Sequence, residues 1–310
     1  MLAYAVIVLA RHPRSLICIN ASDTVRGMIE HQFEPMTVGM VLDRSFRLYT
    51  ENVPLMLGIS AVLNLPILFL TALPLLLLAG GTPSSWQILI TLLSLLLWLA
   101  TQLIIIPLVT GATTKAVSDK YLGNPVTIGS ALKEAWGCIG TLLLTQWVAG
   151  IIIAVGFLLL IVPGILWMLS YMLIAPVVMI EATDRRATQV HSLTGETRTV
   201  TRVMDRSEIR RRSWELVKGN RGKVFVVTIV MTLLPLILSA GANSVTGLGF
   251  AGNSIAAVTV RSIISQAITI LTFPLQTIAV TLLYYDFRIR KEGFDLEMLS
   301  QAMGTPRVNA

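Results

Sequence analysis

The sequence predicts an all-α fold: a polytopic membrane bundle of about six transmembrane helices, built as three repeats of an amphipathic helix followed by a helical hairpin. Three observations predict it. The chain of 310 residues is 13% charged and 54% hydrophobic, with a mean hydropathy of +0.75, whereas a soluble domain carries roughly 25% charged residues. Its charges are also absent from three long stretches, and a short sequence pattern recurs ahead of each stretch.

No Lys, Arg, Asp or Glu occurs from Val53 to Thr114 or from Ala135 to Ile180, and between Val224 and Tyr285 only Arg261 is charged. Each stretch exceeds the roughly 20 residues of a single span, so each holds a pair. Turn residues divide them: Gly80 to Ser85 in the first, Pro163-Gly164 in the second and the Gly/Asn/Ser run from Gly241 to Ser254 in the third. Turns belong at span ends, because irregular backbone facing lipid leaves peptide groups without partners. The spans are therefore expected near 53–79, 86–114, 138–162, 164–180, 224–240 and 258–285, within a membrane domain covering 36–300 and followed by a tail, 301–310.

The recurring pattern is PMTVGMVLDRSF at 35–46 and PVTIGSALKEAW at 125–136, with a weaker copy, VMDRSEIRRRSW, at 203–214. Thr37, Thr127 and Asp205 are residue types that cap helix N-termini, and Glu208 follows Asp205 at capping-box spacing. In the second copy Ile128, Ala131, Leu132, Ala135, Trp136 and Ile139 share one helical face. Each copy is expected to lie at the membrane interface and lead into a hairpin.

Of the 24 Lys and Arg residues, all but Arg261 fall in the termini and the two long loops, and none in the short turns. By the positive-inside rule both termini and both long loops face the cytoplasm. Tyr284 and Tyr285 then read as aromatic anchors at the interface. Basic loops beside anionic headgroups account for the net charge of +7 without a nucleic-acid partner.

Five blocks in order, LDRSFRLYTENVPLML, GNPVTIGSAL, LLLIVPGILWMLSYMLIAPVVMIE, RRSWELVKGNRGKVF and LLYYDFRIRKEGFDLE, resemble the bacterial family named for the membrane domain of glycerophosphoryl diester phosphodiesterase. The resemblance covers about residues 36 to 300. It implies a membrane module of the bacterial inner membrane, with phosphodiester hydrolysis belonging to a separate TIM-barrel domain for which this chain has no room. Two regions depart from the pattern. Residues 183–206 form a polar insert whose Thr/Val alternation around 197–203 suggests a hairpin strand. Residues 1–35 read as an extension, either disordered or upstream of a true start at Met28 or Met36, and MLAYAVIVLA makes a poor signal peptide.

Catalytic chemistry is not expected. His12, His31 and His191 share no metal-ligand spacing, Cys18 and Cys138 lie in unrelated segments, and nucleotide-binding and nucleophile-elbow motifs are missing. Glu292, Asp295 and Glu297 read as a solvated face beside Arg288, Arg290 and Lys291. No cofactor or metal is expected. The candidate polar site is Arg261, a cation within a span that either snorkels to the headgroups or faces a cavity, with Gln266 and Glu181. Asn64, Gln102, Gln146, Gln266 and Gln276 are in-span amides suited to fastening helices together. Glu181 either pairs with the Arg210-Arg211-Arg212 run or stands as an exposed carboxylate at headgroup level, and that run together with Trp214 forms a candidate docking surface.

The leading expectation is a membrane scaffold or anchoring module without catalysis of its own, its partners being the lipid bilayer and an enzyme encoded elsewhere, with self-association left open. The alternative is a permease for a small solute or a lipid. A permease predicts a polar cavity reaching mid-membrane and lined by Arg261 with several of the amides; a scaffold predicts amides paired with each other in a dry core.

Overall fold

The computed structural model describes residues 36–62, 64–65, 84–182, 189–191, 197–199, 204–249 and 255–292. Met36–Arg288 form one compact unit, and the chain from Ile289 belongs to another. The expected extension over 1–35 and the tail after 300 lie outside the described residues, as does most of the second half of the first expected span.

The described residues are almost entirely helical. In chain order they are α1 (Val38–Glu51), α2 (Val53–Val62), α3 (Ser85–Tyr121), α4 (Ile128–Gly137), α5 (Ile139–Leu159), α6 (Ile161–Ser170), α7 (Ile174–Pro176) running into a π-helical turn (Val177–Ala182), α8 (Arg206–Val217), α9 (Arg221–Gly249) and α10 (Ile255–Glu292). Five segments are long and apolar enough to cross a membrane: Ser85–Tyr121, Ile139–Leu159, Ile161–Glu181, Arg221–Thr246 and Ala257–Glu292. The chain is a multi-pass membrane protein with an all-α helical bundle. The insert carries the one departure, a small antiparallel hairpin of β1 (Gln189–His191) and β2 (Thr197–Thr199) with Val190 opposite Arg198.

All three amphipathic helices start where the capping residues predict. Thr37 accepts the Met40 N–H, Thr127 accepts the Ser130 N–H at 3.2 Å, and Asp205 accepts the Ser207 N–H at 3.3 Å. The capping box forms at Thr127, where the Ser130 hydroxyl returns a bond to the Thr127 N–H. On α4 the inward face is Ala131 and Ala135, while Trp136 is 62% exposed. The wide apolar face thus divides between the bundle and the surroundings.

The hairpin of α5 and α6 turns at Leu160, three residues before Pro163. Pro163 sits in the first turn of α6, where a helix has no use for its missing N–H. Glycines let the two helices close up: a Cβ on Gly156 would stand 2.6 Å from the Trp167 ring and 3.0 Å from the Gly164 Cα. Pro107 in α3 likewise withholds an N–H from the Leu103 carbonyl, and the Trp147 indole N–H of α5 donates there at 3.3 Å.

The two longest helices, α3 with 37 residues and α10 with 38, run about 55 Å each, well beyond a hydrocarbon core of about 30 Å. Burial divides both. The large apolar side chains of α3 between Trp86 and Ile106 are mostly exposed, a surface suited to lipid, whereas Pro107 onward is covered by protein. In α10 the covered half begins at Thr272. The covered halves lie together at the end of the bundle where the chain's charges gather.

There α1 runs lengthwise against α10. The Met36 N–H donates to Asp286 at 2.6 Å, and the Tyr49 hydroxyl donates to the Leu271 carbonyl at 2.8 Å. These contacts sit some 20 Å apart on both helices. Burial raises the Tyr49 pKa, so the hydroxyl keeps its proton and remains a donor.

Candidate functional site

Charges at the ends of the apolar stretches come together in the folded chain, because the two ends of a helical hairpin return to the same level. Lys223 is the last charge before the third stretch and Asp286 the first after it. Their side chains pair at 2.6 Å, and Asp286 is fully buried. Lys223 also donates to the Met36 carbonyl, while the Met36 N–H donates to the other Asp286 oxygen. One residue ahead of α1, Met36, is therefore held at both its N–H and its carbonyl by the pair that closes the last hairpin.

Glu181, at the end of the fourth span, is 7% exposed and receives the Arg212 Nε at 3.1 and 3.0 Å from its two oxygens. The expected partner was the whole Arg210 to Arg212 run; Arg212 is the member that reaches it. The Tyr284 hydroxyl donates to the same carboxylate at 3.1 Å, and Arg288 donates to that hydroxyl at 3.3 Å. Tyr285 lies 2.7 Å, oxygen to oxygen, from Ser118 and packs its ring 4.9 Å from that of Tyr121. Both tyrosines are fully buried. They do not face the membrane interface as their position at the end of an apolar run suggested; the neighbouring polar groups of other helices draw their hydroxyls inward, since a buried hydroxyl needs a partner.

A pattern runs through these bonds. Lys115 of α3 reaches Glu134 of α4 at 3.1 Å, Glu181 holds Arg212 of α8, and Asp286 of α10 holds the start of α1. The returning helix of each repeat is bonded to the amphipathic helix of the next, and the third repeat is bonded to the first.

The candidate docking residues separate. Arg212 is committed to Glu181, and Trp214 is half-buried between the Arg221 guanidinium, 4.7 Å from its ring, and Tyr171 at 6.0 Å. Arg211 is exposed and pairs along the helix with Glu215 at 3.1 Å, and Arg210 is half-exposed. The docking surface shrinks to the outer face of α8.

Arg261 and Gln266 are not brought to Glu181. The Arg261 Nε lies 3.4 Å from the Thr246 hydroxyl across the hairpin of α9 and α10. Gln266 instead joins Asn64 and Gln102 around a cavity of about 120 Å3, together with Thr269 and Phe273. Three of the five in-span amides thus gather about one space. A second cavity of about 180 Å3 shares Phe273 and is lined by Thr110, Thr114, Gln276 and Thr277 with Met172 and Pro176. Among the described residues, neither has a charged lining residue.

The fourth span is broken at this second cavity. Helix α6 stops at Ser170, Tyr171 to Leu173 form turns, and helical backbone resumes at Ile174 before the π-helical turn. Pro176 has no N–H for the Met172 carbonyl, the acceptor its position would serve in an unbroken helix. Non-helical backbone at membrane depth is tolerated where it lines a cavity.

Among the described residues there is no group of three or more His, Cys, Asp or Glu able to hold a metal ion. The arrangement can brace helices through buried charge pairs and can offer neutral hydrogen-bonding groups to a small guest. No protein-family model, curated protein or solved structure matches the chain.

The features that sequence reasoning missed are Lys223 with Asp286 and the interior role of Tyr284. The signal was present: Lys223 and Asp286 are the charges that bound the third stretch, and a hairpin must bring its two ends side by side.

Proposed function

We propose that the chain is an anchoring module of a bacterial inner membrane, without catalysis of its own, that holds a partner enzyme against the cytoplasmic surface. The observation that carries this reading is the bonded charged end. Charge pairs, buried at α1, part-buried at α8 and part-exposed at α4, fix these helices against the returning helices, and the outer face of α8 keeps Arg206, Arg211, Glu215 and Lys218 exposed. A surface held rigidly loses little side-chain and backbone freedom when a partner docks. The excess of Lys and Arg in the segments at this end supports its facing the cytoplasm, and the resemblance to the membrane domain of glycerophosphoryl diester phosphodiesterases supports a partner that supplies the chemistry.

The test is crosslinking and affinity purification from native membranes, comparing the wild type with an Arg206→Glu/Arg211→Glu variant. Recovery of one stoichiometric partner that the variant loses, with unchanged thermal stability, is expected. Recovery of the chain alone from both refutes the docking face. A second reading, a permease for a small solute, draws its support from the broken fourth span beside the amide-lined cavities.

A further inference from the structure

The two cavities are lined by one face of each of two helices. On α3 the lining runs Gln102, Ile106, Val109, Thr110 and Thr114; on α10 it runs Gln266, Thr269, Phe273, Gln276, Thr277 and Val280. Both series follow helical spacing, so the spaces lie in line along a single seam. Phe273 lines both.

We propose that this seam is a binding site for a small uncharged polyol. The absence of charged residues from the described lining excludes an ionic guest, because an ion stripped of water there would have no counter-charge. The hydrogen-bonding groups match hydroxyls, each of which donates one bond and accepts others. The hydroxyls of Thr110, Thr269 and Thr277 donate to carbonyls of their own helix, at 2.7, 3.0 and 3.3 Å, which leaves their oxygens as acceptors. The side-chain amides supply donors and acceptors together. Thr110 lines the larger cavity and is only half-buried, so its oxygen stays within reach of a guest. The broken backbone at Tyr171 to Leu173 adds a carbonyl, that of Met172, without its helical donor. At about 30 Å3 per water in the liquid, the larger cavity of about 180 Å3 holds roughly six waters or one four-carbon polyol.

The inference needs a bound solute and not its passage, so it rests on the second reading only in part and does not require the anchoring reading. Equilibrium binding of tritiated erythritol to the purified, detergent-solubilised chain tests it. Saturable binding is expected, unaffected by excess sulfate, and about tenfold weaker in Gln276→Leu, the loss that one good hydrogen bond represents. Thr110→Val, which removes an acceptor whose own proton is used within its helix, is expected to weaken binding while leaving thermal stability close to that of the wild type; a purely structural threonine would lower stability and leave binding unchanged. Absence of saturable binding, equal binding by wild type and both variants, or displacement by sulfate overturns the proposal. Erythritol uptake by proteoliposomes then separates the two ideas: binding without flux keeps the site and removes the permease.

Discussion

Replacing Lys223 with methionine tests whether the charged end is braced as described. The Lys223 ammonium makes two bonds, to Asp286 at 2.6 Å and to the Met36 carbonyl, and Asp286 is 0% exposed. Hydrogen bonds to charged groups contribute about 1.5–3 kcal/mol each, so losing two costs about 3–6 kcal/mol. The cost of breaking a buried ion pair by removing one partner, about 3–5 kcal/mol, agrees. Methionine keeps the volume and apolar stem, so packing changes little. At about 2–4 °C per kcal/mol for a domain of this size, the melting temperature in detergent should fall by about 10 °C or more, followed by fluorescence-detected gel filtration after heating. Asp286→Asn in the same background should restore part of the loss, because the buried charge goes with its partner. A decrease below about 1 kcal/mol, or full additivity of the two substitutions, would show that the pair is solvated and carries no load, and the reasoning would fail.

Three further outcomes follow from the same geometry. Glu181→Gln should destabilise the chain by about 3 kcal/mol by removing the charge that pairs with Arg212, whereas Tyr284→Phe should cost only about 1 kcal/mol; equal melting temperatures for both would count against the bridge. Gly156→Ala should cost about 1–3 kcal/mol by overpacking against Trp167 and the Gly164 backbone, visible as lower yield of monodisperse protein, and wild-type yield would mean that α5 and α6 separate freely. Asp205 has a pKa below the ordinary carboxylate value, first because the Ser207 hydroxyl bonds it. Its contribution as the α8 cap is therefore present above the unfolded-state pKa and lost as pH falls through the lower folded one. The gap in melting temperature between wild type and Asp205→Ala should close over that acidic window, and a constant gap would assign the effect to something other than the ionised cap.

Much of the architecture was legible because membrane insertion writes itself into composition. The absence of charge from 135 to 180 leaves a helical hairpin as the satisfied solution, and Thr37, Thr127 and Asp205 announced three helix starts. What periodicity could not say is what each face meets. The apolar side of α1 is the same whether it lies on lipid or on α10, and only the contacts of Met36 and Tyr49 decide. Tyr284 and Tyr285 misled for a related reason: an aromatic pair beside charges marks an interface when neighbours are lipid, and an interior when neighbours are Glu181 and Ser118. The turn expected at Pro163-Gly164 falls three residues earlier, at Leu160, where no polar residue marks it; a tight helical hairpin wholly within apolar sequence needs small residues at the crossing, and Gly156 and Gly164 provide them. The gathering of Asn64, Gln102 and Gln266 needed the parallel course of α3 and α10, which depends on the third repeat meeting the first.

That last contact has a consequence for how the chain can be written. Since each repeat is bonded to its successor and Asp286 returns to Met36, the order of the three units in the gene is a choice of where to cut a closed cycle. A reordered chain that starts at Pro125, runs through Arg288, continues through a short Gly/Ser linker to Met36 and ends at Asn124 retains every bond between units. Its folding to the same melting temperature would mean that the connection between the first and second units serves only as covalent tether, and that three copies of one ancestral hairpin could have met as separate chains before they were joined.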